Sequence, residues 1–225
     1  MSQPSPGQSS AWRPTGSVEL ERSVEQGRRP PAADDAPPGG YGSTVSTRGV
    51  PVGPYPKEVD PAEYERLRRR VLWKLPTGLY LLGARAGETR NLMTLNLVMQ
   101  VSNDPKLVAV SVETTAFTHG LILEGGCFSV VLVSRDNKEV VRKFVKPAEH
   151  DPLLGTLAGY SYKDGLSGAP IPEFAIGYLD CGLRHSLDLG SHSLFVGEVL
   201  DAGFAPGGEE IPVLRMEDTR MNYGG

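Results

Sequence analysis

The 225-residue sequence predicts a mainly β protein, an antiparallel barrel with a few helices packed on its outside. Six segments rich in β-branched and large apolar residues are bounded by Gly, Asp, Asn or Pro, as strands are. Helical signals are confined to three stretches. Strands and helices do not alternate regularly along the chain, which disfavours a doubly wound parallel sheet.

The first 56 residues differ in composition from the rest. They carry 10 of the 19 prolines with 8 glycines and 8 serines, and they show no apolar period. Such a segment buries too little apolar surface to offset the entropy lost on ordering. We therefore expect a flexible arm over residues 1–56 and a folded domain over residues 57–225. The alternative is an arm that docks on the body or on a partner subunit through Trp12 and Tyr41.

The folded region is expected to open with a helix from Asp60 to about residue 75. Asp60 suits the N-cap, and Glu63 follows at the spacing of a capping box. One apolar stripe recurs at three- and four-residue intervals, and it consists of Tyr64, Leu67, Val71 and Leu75. The arginine run at 66–70 lies mostly off this stripe and indicates either a solvated face or, less simply, a phosphate-binding patch.

After this helix, strand and turn signals dominate the chain. Two short helices are expected at about 115–124 and 136–145, the second capped by Ser134, and a Gly- and Pro-rich loop at 150–173. Residues 211–216 are a candidate edge strand. The six predicted strands are 78–84, 92–101, 106–112, 127–133, 174–183 and 193–204.

Composition and charge exclude several classes of function. With 23 Lys and Arg against 27 Asp and Glu, the net charge of -4 provides no positive field to hold nucleic acid. No segment has the roughly 18 apolar residues of a membrane span or the pattern of a secretory signal, so we expect no membrane partner and a cytoplasmic location. Cys127 and Cys181 lie in apolar runs without a metal or redox spacing and are expected to be buried thiols.

The motifs of hydrolases, metal sites and dinucleotide-binding folds are absent. The sequence has no H-E-x-x-H, C-x-x-C, G-x-S-x-G or Walker loop, and no G-x-G-x-x-G after a predicted strand. Its four histidines, at positions 119, 150, 185 and 192, are too scattered to suggest a metal cluster. We predict no metal site.

An uncharged polar row stands out on the predicted strand 92–101 and just beyond it. Thr94, Asn96, Gln100 and Ser102 alternate with apolar residues, so they are expected to share one face. Burying four such groups without partners is costly. This face is therefore either open to solvent or lines a ligand rich in hydrogen-bonding groups.

A second polar group follows in the turn V-E-T-T-A-F-T-H-G-L-I. Thr114, Thr115 and Thr118 stand at the start of the expected short helix. Hydroxyls and free backbone N–H groups at a helix N-terminus form an anion site that suits a phosphate ester. Threonine is also a routine helix cap, so the turn alone does not decide between these two uses.

Six segments together resemble the flavin reductase family. In order they are P-T-G-L-Y-L-L, M-T-L-N-L-V-M-Q-V-S-N-D-P, V-A-V-S-V, F-T-H-G-L-I, C-F-S-V-V-L-V and G-S-H-S-L-F-V-G-E-V, spanning roughly residues 65–204. The resemblance is greatest to the branch related to rubredoxin fusions and flavodiiron proteins. It implies the FMN-binding split barrel, an antiparallel Greek-key barrel with a few flanking helices, and a homodimer with the cofactor at the interface.

The resemblance also implies site residues. Met93, Thr94 and Asn96 would follow the isoalloxazine ring and ribityl chain, and Gln100 and Ser102 would border the ring. Thr115, Thr118 and His119 would lie near the phosphate. His192 would be the catalytic residue on the open face of the flavin, with a structural histidine at a strand start as the alternative. Ala116 stands where the family usually has Ser or Asn, and Leu97 where it often has a small residue, which predicts weaker retention of FMN.

The implied activity is an NAD(P)H-dependent flavin reductase that supplies reduced flavin to a partner such as a monooxygenase. FMN is the expected flavin, with FAD as a second choice, and NADH or NADPH is the hydride donor. The alternatives are an electron carrier or ferric reductase that keeps its FMN bound, and a non-catalytic module that binds flavin or another planar ligand as a sensor.

Overall fold

The computed structural model describes residues 60–219 and residue 221. The expected arm over residues 1–56 lies outside the described residues. The first helix, α1 (Pro61–Leu72), begins where the sequence predicts. The Asp60 carboxylate accepts hydrogen bonds from the backbone N–H groups of Ala62 at 2.7 Å and Glu63 at 3.0 Å, which are two of the donors that a helix start leaves unpaired.

The apolar stripe of α1 does not become part of the core. Leu67, Val71 and Leu75 are 51%, 60% and 63% exposed. On the arginine run, Arg66 and Arg68 form ion pairs with acidic residues one turn earlier on the same helix. This pairing favours the solvated face over a phosphate patch.

Eleven strands follow α1 in the described part of the chain, in an antiparallel arrangement that confirms the mainly β prediction. Seven of them form one sheet, and β6 to β9 form a smaller one. Their bounds are β1 Tyr80–Ala86, β2 Thr89–Leu95, β3 Val98–Asn103, β4 Lys106–Glu113, β5 Cys127–Leu132, β6 His150–Asp151, β7 Thr156–Leu157, β8 Tyr160–Asp164, β9 Pro170–Pro172, β10 Gly177–Asp188 and β11 His192–Phe204. The order of the larger sheet is β2-β1-β5-β10-β11-β4-β3.

The central strands of the larger sheet bury apolar side chains on both faces. Leu81 and Leu82 are neighbours in β1, so they point to opposite faces, and they belong to two different apolar clusters. Phe144 is the largest fully buried side chain of the first cluster, and Phe128 and Phe195 are those of the second. Strands buried on both sides explain why their sequences are nearly continuous apolar runs.

The two cysteines are free and buried, as the sequence predicts. Cys127 stands opposite Gly182, and Cys181 stands opposite Phe128, so their side chains point to opposite faces of the sheet. They are not placed to form a disulfide. Burial raises the pKa of the Cys181 thiol to about 12.

The prediction of one strand over residues 92–101 is wrong. The chain breaks at Asn96 and Leu97, where the Val98 N–H donates to the Asn96 carbonyl at 3.1 Å. Consequently β2 and β3 lie at opposite edges of the sheet. A bulge between Gln100 and Ser102 interrupts the alternation again, so the four polar residues do not share one face.

The prediction of a loop at 150–173 is also wrong, because β6 to β9 form a small sheet there. Two of these strands have only two residues, too few for an alternating pattern to be visible in the sequence. The turns between them use glycine in the left-handed region, at Gly155 (φ 62°) and Gly159 (φ 80°).

The remaining helices are shorter than expected. The helix α2 (Phe117–Gly125) replaces the expected 115–124, and Gly126 (φ 66°) ends it. The expected helix at 136–145 consists of two 3-10 helices, at 135–137 and 140–144, with Ser134 at the first N-cap as predicted. Within 211–216 there are isolated bridges in place of an edge strand. Among the described residues, no helix combines the length and apolar character needed to span a membrane.

Candidate functional site

A cleft of about 540 Å3 opens where β2, the end of β4, the start of α2 and residues 144–147 meet. We call it the threonine cleft, after Thr94, Thr115 and Thr118. The break between β2 and β3 contributes to its wall, since Asn96 and Leu97 line it. The structure therefore brings together six of the predicted site residues: Met93, Thr94, Asn96, Thr115, Thr118 and His192.

Three predicted site residues do not line the cleft. Gln100 and Ser102 are on β3, where the Gln100 amide donates to the Ser102 carbonyl at 3.2 Å. The His119 ring contacts β11 instead, with Nε2 2.8 Å from the Ser193 hydroxyl and its centroid 5.1 Å from that of Phe195. The side chains of Gln100 and His119 thus have hydrogen-bond partners outside the cleft.

A buried asparagine that sequence analysis missed joins two walls of the cleft. Asn91 is 1% exposed. Its Nδ2 donates to Thr118 Oγ1 on α2 at 2.7 Å, and its Oδ1 accepts from the backbone N–H of Ala148 at 2.8 Å. The available signal was a single asparagine entering an apolar strand, where a buried amide requires partners.

The Thr94 hydroxyl is hydrogen-bonded within the protein and is not open to solvent. The residue is 5% exposed, and its hydroxyl donates to the carbonyl of the buried Val141 at 2.5 Å. A hydroxyl has one hydrogen, so Thr94 presents only its lone pairs to the cleft.

The start of α2 offers unpaired backbone donors. Its N-cap is Ala116, and no side chain among the described residues caps the helix. The His119 N–H donates to the Ala116 carbonyl at 3.0 Å, whereas the N–H groups of Phe117 and Thr118, which line the cleft, have no acceptor among the described residues. The absent hydroxyl at position 116 leaves these donors available to an anion, in addition to the favourable helix dipole.

Lys146 adds the positive charge that sequence analysis did not assign. Among the described residues that line the cleft, it is the only lysine or arginine. It follows the second 3-10 helix and precedes Pro147, and its side chain is exposed. The signal was weak, because a lysine at the end of an apolar helix is ordinary on a surface.

His192 and Glu113 complete the opposite wall. They pair across β11 and β4, and both line the cleft. The Nδ1 of His192 lies 3.0 Å from the hydroxyl of Ser191, and Nε2 has no partner among the described residues. The ring thus has one nitrogen free for a ligand.

A larger cleft of about 1000 Å3 lies between the end of α1 and residues 212–221, and it shares Asn96 and Leu97 with the threonine cleft. Its two arginines are already paired, Arg135 with Asp218 at 3.0 Å and Arg215 with Glu217 at 3.2 Å. We take the smaller cleft as the candidate site because the unpaired polar donors gather there. In the described part of the chain, no group of three or more His, Cys, Asp or Glu side chains is placed to hold a metal ion.

The family model of the flavin reductase like domain matches residues 72–223. The chain belongs to the flavin reductase family. Its match to the high molecular weight rubredoxin of Moorella thermoacetica is 30% identical over 142 residues, which is 62% of this chain and 61% of that protein. The chain thus spans less than two thirds of that relative.

Solved structures of the same family share the fold. The NADH:FAD oxidoreductase of Streptomyces globisporus is 26% identical, with a TM-score of 0.61 over 76% of this chain and all of that chain. The flavin reductase component of a bacterial two-component tryptophan halogenase is 31% identical, with a TM-score of 0.55 over 63% of this chain and 88% of that chain. For this flavin reductase family member, all elements that form the threonine cleft lie inside the matched residues 72–223.

Proposed function

We propose that this chain is an NAD(P)H-dependent flavin reductase that binds FMN, or FAD, in the threonine cleft. The observation that carries the proposal is a group of three features at one end of the cleft: the uncapped start of α2, the buried threonine Thr118, and Lys146. The other residues at that end are uncharged. A phosphate ester would bind at this end, and a flat, largely apolar ring system attached to it would occupy the rest of the cleft.

The residues present fit a flavin. A cleft of about 540 Å3 is within the usual range of roughly 300–1,000 Å3 for ligand sites. Thr115, Thr118 and Lys146, with the N–H groups of α2, would hold the phosphate. Met93 and Asn96, with the lone pairs of Thr94, would follow the ring and its side chain.

His192 is proposed as the catalytic residue. When bound, a flavin supplies an acceptor for the hydride of reduced nicotinamide. The chain's task is to align the two rings and exclude other geometries. His192 has a free Nε2 at the cleft and is positioned by Ser191 through Nδ1, so it orients the nicotinamide from a fixed ring.

The homodimer and the split barrel stay part of the proposal. Leu97, Met99 and Val101, on and beside the edge strand β3, are 39%, 64% and 44% exposed, an apolar row that a second subunit would cover. A second subunit is also what would bring Gln100 and Ser102 to the cofactor. Their assignment, that of His119 and the cytoplasmic location remain predictions. Sedimentation as a monomer at micromolar concentration would contradict the dimer.

The role of the reduced flavin is proposed from the relatives. The similarity to the reductase component of a halogenase supports delivery of reduced flavin to a separate monooxygenase or halogenase. The similarity to a rubredoxin favours the second candidate, an electron carrier or ferric reductase whose FMN stays bound. The uncapped start of α2 does not distinguish them, since both require phosphate binding.

One experiment tests the proposal and separates the two candidates. The purified full chain is examined by visible spectroscopy, and NADH or NADPH oxidation is then measured with and without added FMN. A colourless protein that oxidises the nicotinamide only with FMN supports a reductase that uses flavin as a substrate. A yellow protein bleached by the nicotinamide supports bound FMN. Absence of both flavin binding and nicotinamide oxidation would overturn the proposed function.

A further inference from the structure

The direction of each hydrogen bond around Asn91 is fixed by chemistry. The backbone N–H of Ala148 can only donate, so the atom of Asn91 that faces it at 2.8 Å is the carbonyl oxygen Oδ1. The amide nitrogen Nδ2 is therefore the atom 2.7 Å from Thr118 Oγ1. A carboxamide nitrogen is a donor only, so Thr118 Oγ1 must accept this bond.

Accepting from Asn91 determines what Thr118 offers to a ligand. A hydroxyl has one hydrogen and two lone pairs. One lone pair of Thr118 is occupied by Asn91, and its hydrogen has no acceptor among the described residues. Thr118 is 1% exposed and lines the threonine cleft, so the expected acceptor for that hydrogen is a group bound in the cleft.

Thr94, the other buried threonine of the cleft, has the opposite hydrogen-bonding role. Thr94 donates its hydrogen to the Val141 carbonyl, so it can only accept. The cleft therefore has a hydroxyl donor on the α2 side and a hydroxyl acceptor on the β2 side. An anion is accommodated next to Thr118 and is disfavoured next to Thr94.

We propose that Asn91 is a positioning residue that makes Thr118 a hydrogen-bond donor to the phosphate of the flavin. The inference rests on the proposed function and deepens it, since it predicts that the cleft binds phosphorylated flavins more tightly than riboflavin. Asn91 also ties α2 to residues 146–148, so the same side chain keeps Lys146 and the start of α2 on the same end of the cleft.

The test measures dissociation constants for FMN and for riboflavin by quenching of flavin fluorescence. Thr118→Val removes the donor at nearly constant volume and is expected to weaken FMN binding about tenfold, with riboflavin changed less than about twofold. Asn91→Asp is expected to weaken FMN binding further, because its carboxylate takes the Thr118 hydrogen and adds a negative charge. Thr118→Ser keeps the hydroxyl and should retain the wild-type FMN-to-riboflavin ratio.

Ser129→Ala is the matched control for loss of stability. Ser129 is also fully buried, and its hydroxyl donates to the Pro170 carbonyl at 2.7 Å, in contact with the small sheet and outside the threonine cleft. The variant should unfold at a lower temperature without changing the ratio of the two flavin affinities. A merely structural role for Asn91 would give the same pattern in Asn91→Asp and would overturn the inference.

A double variant shows whether Asn91 acts through Thr118. In the Thr118→Val background, Asn91→Asp is expected to lose part of its effect on FMN, because the hydrogen that it redirects is already absent. Strict additivity would contradict the inference. A wild-type protein that binds no flavin would instead refute the proposed function, and one that binds FMN and riboflavin equally would refute the placement of the phosphate.

Discussion

Glu113 and His192 stand directly opposite each other on β4 and β11, at the edge of the threonine cleft. The neighbouring N–H of Thr114 donates to the Ser191 carbonyl at 3.0 Å, so Glu113 and His192 form a non-hydrogen-bonded pair, the kind in which side chains approach most closely. The hydroxyl of Ser191 lies beside Nδ1 of His192. The cleft therefore presents an imidazole and a carboxylate together on one wall, with Lys146 as its cation.

His192→Ala is expected to lower the rate constant for flavin reduction by roughly ten- to a hundredfold, while the dissociation constant for FMN changes less than about threefold. The ring faces the cleft through its free Nε2 but lies outside the expected phosphate end. Stopped-flow reduction by NADH measures the rate, and fluorescence titration measures the binding. His150→Gln is the control, because that histidine contacts Tyr162 in the small sheet and should leave both values unchanged. Equal loss of binding and rate would contradict the assignment.

Lys146→Met should weaken FMN binding about five- to tenfold at low ionic strength and leave riboflavin binding unchanged. The charge of an exposed lysine is screened by salt, so the difference should shrink at high ionic strength. Lys143→Met provides the comparison, since Lys143 is also exposed but does not line the cleft. Similar effects from both lysines would indicate that the net positive charge of the surface, and not a contact between Lys146 and the phosphate, strengthens FMN binding.

Glu113→Gln is expected to act in the opposite direction. Removing a negative charge from the wall of a cleft that binds a phosphate should strengthen FMN binding about two- to threefold at low salt, with no effect on riboflavin. Fluorescence titration with FMN and with riboflavin, at low and at high salt, measures this effect and that of Lys146→Met. A weaker FMN complex would show that Glu113 contacts the flavin by hydrogen bonding instead.

The sequence was sufficient to predict the elements that depend on local signals. The cap of α1 at Asp60, the cap at Ser134 and the apolar strands of the large sheet follow from short-range chemistry. Six of the nine predicted site residues also meet at one cleft. Their positions follow from β2, the start of α2 and the start of β11, which the sequence placed within a few residues.

The errors arose where tertiary contacts decide the local structure. The break at Asn96 and Leu97 depends on the Leu97 carbonyl accepting from Ser111 N–H at 3.1 Å, a contact with a strand that comes later in the sequence. Without it, residues 92–101 have the pattern of one strand, so Gln100 and Ser102 were placed on the face of Thr94. Asn91 and Lys146 were missed for a similar reason. The role of Asn91 depends on partners 27 or more residues away, and that of Lys146 depends on the shape of the cleft.

Thr94→Val should destabilise the fold by about 1–2 kcal/mol, because the buried Val141 carbonyl loses its hydrogen-bond donor. Urea denaturation measures the free energy of unfolding. Thr114→Val is the matched change on an exposed hydroxyl, which donates to the Ser191 carbonyl at 3.3 Å, and its expected effect is below about 0.5 kcal/mol. Equal effects at the two positions would show that burial of the Val141 carbonyl is not what makes the Thr94 bond important.

Tyr178→Phe should make stability less dependent on pH in the alkaline range. Burial, followed by the hydrogen bond that the hydroxyl donates to Asp201 at 2.8 Å, raises the pKa of Tyr178 from 10.0 to about 12. The unfolded chain therefore loses this proton first as the pH rises. The contribution is fully present below pH 10 and is lost progressively towards pH 12, by on the order of 2 kcal/mol. Urea denaturation between pH 8 and roughly 11 should show a shallower decline for the variant.

The variant should also be less stable than the wild type at pH 8, by about 1 kcal/mol, because it lacks the bond to Asp201. The two stability curves are therefore expected to converge as the pH rises. Cys181, whose pKa is also about 12, contributes a decline of the same sign to both proteins and does not affect their difference. Parallel curves across this range would show that Tyr178 has the same proton affinity in the folded and unfolded chains.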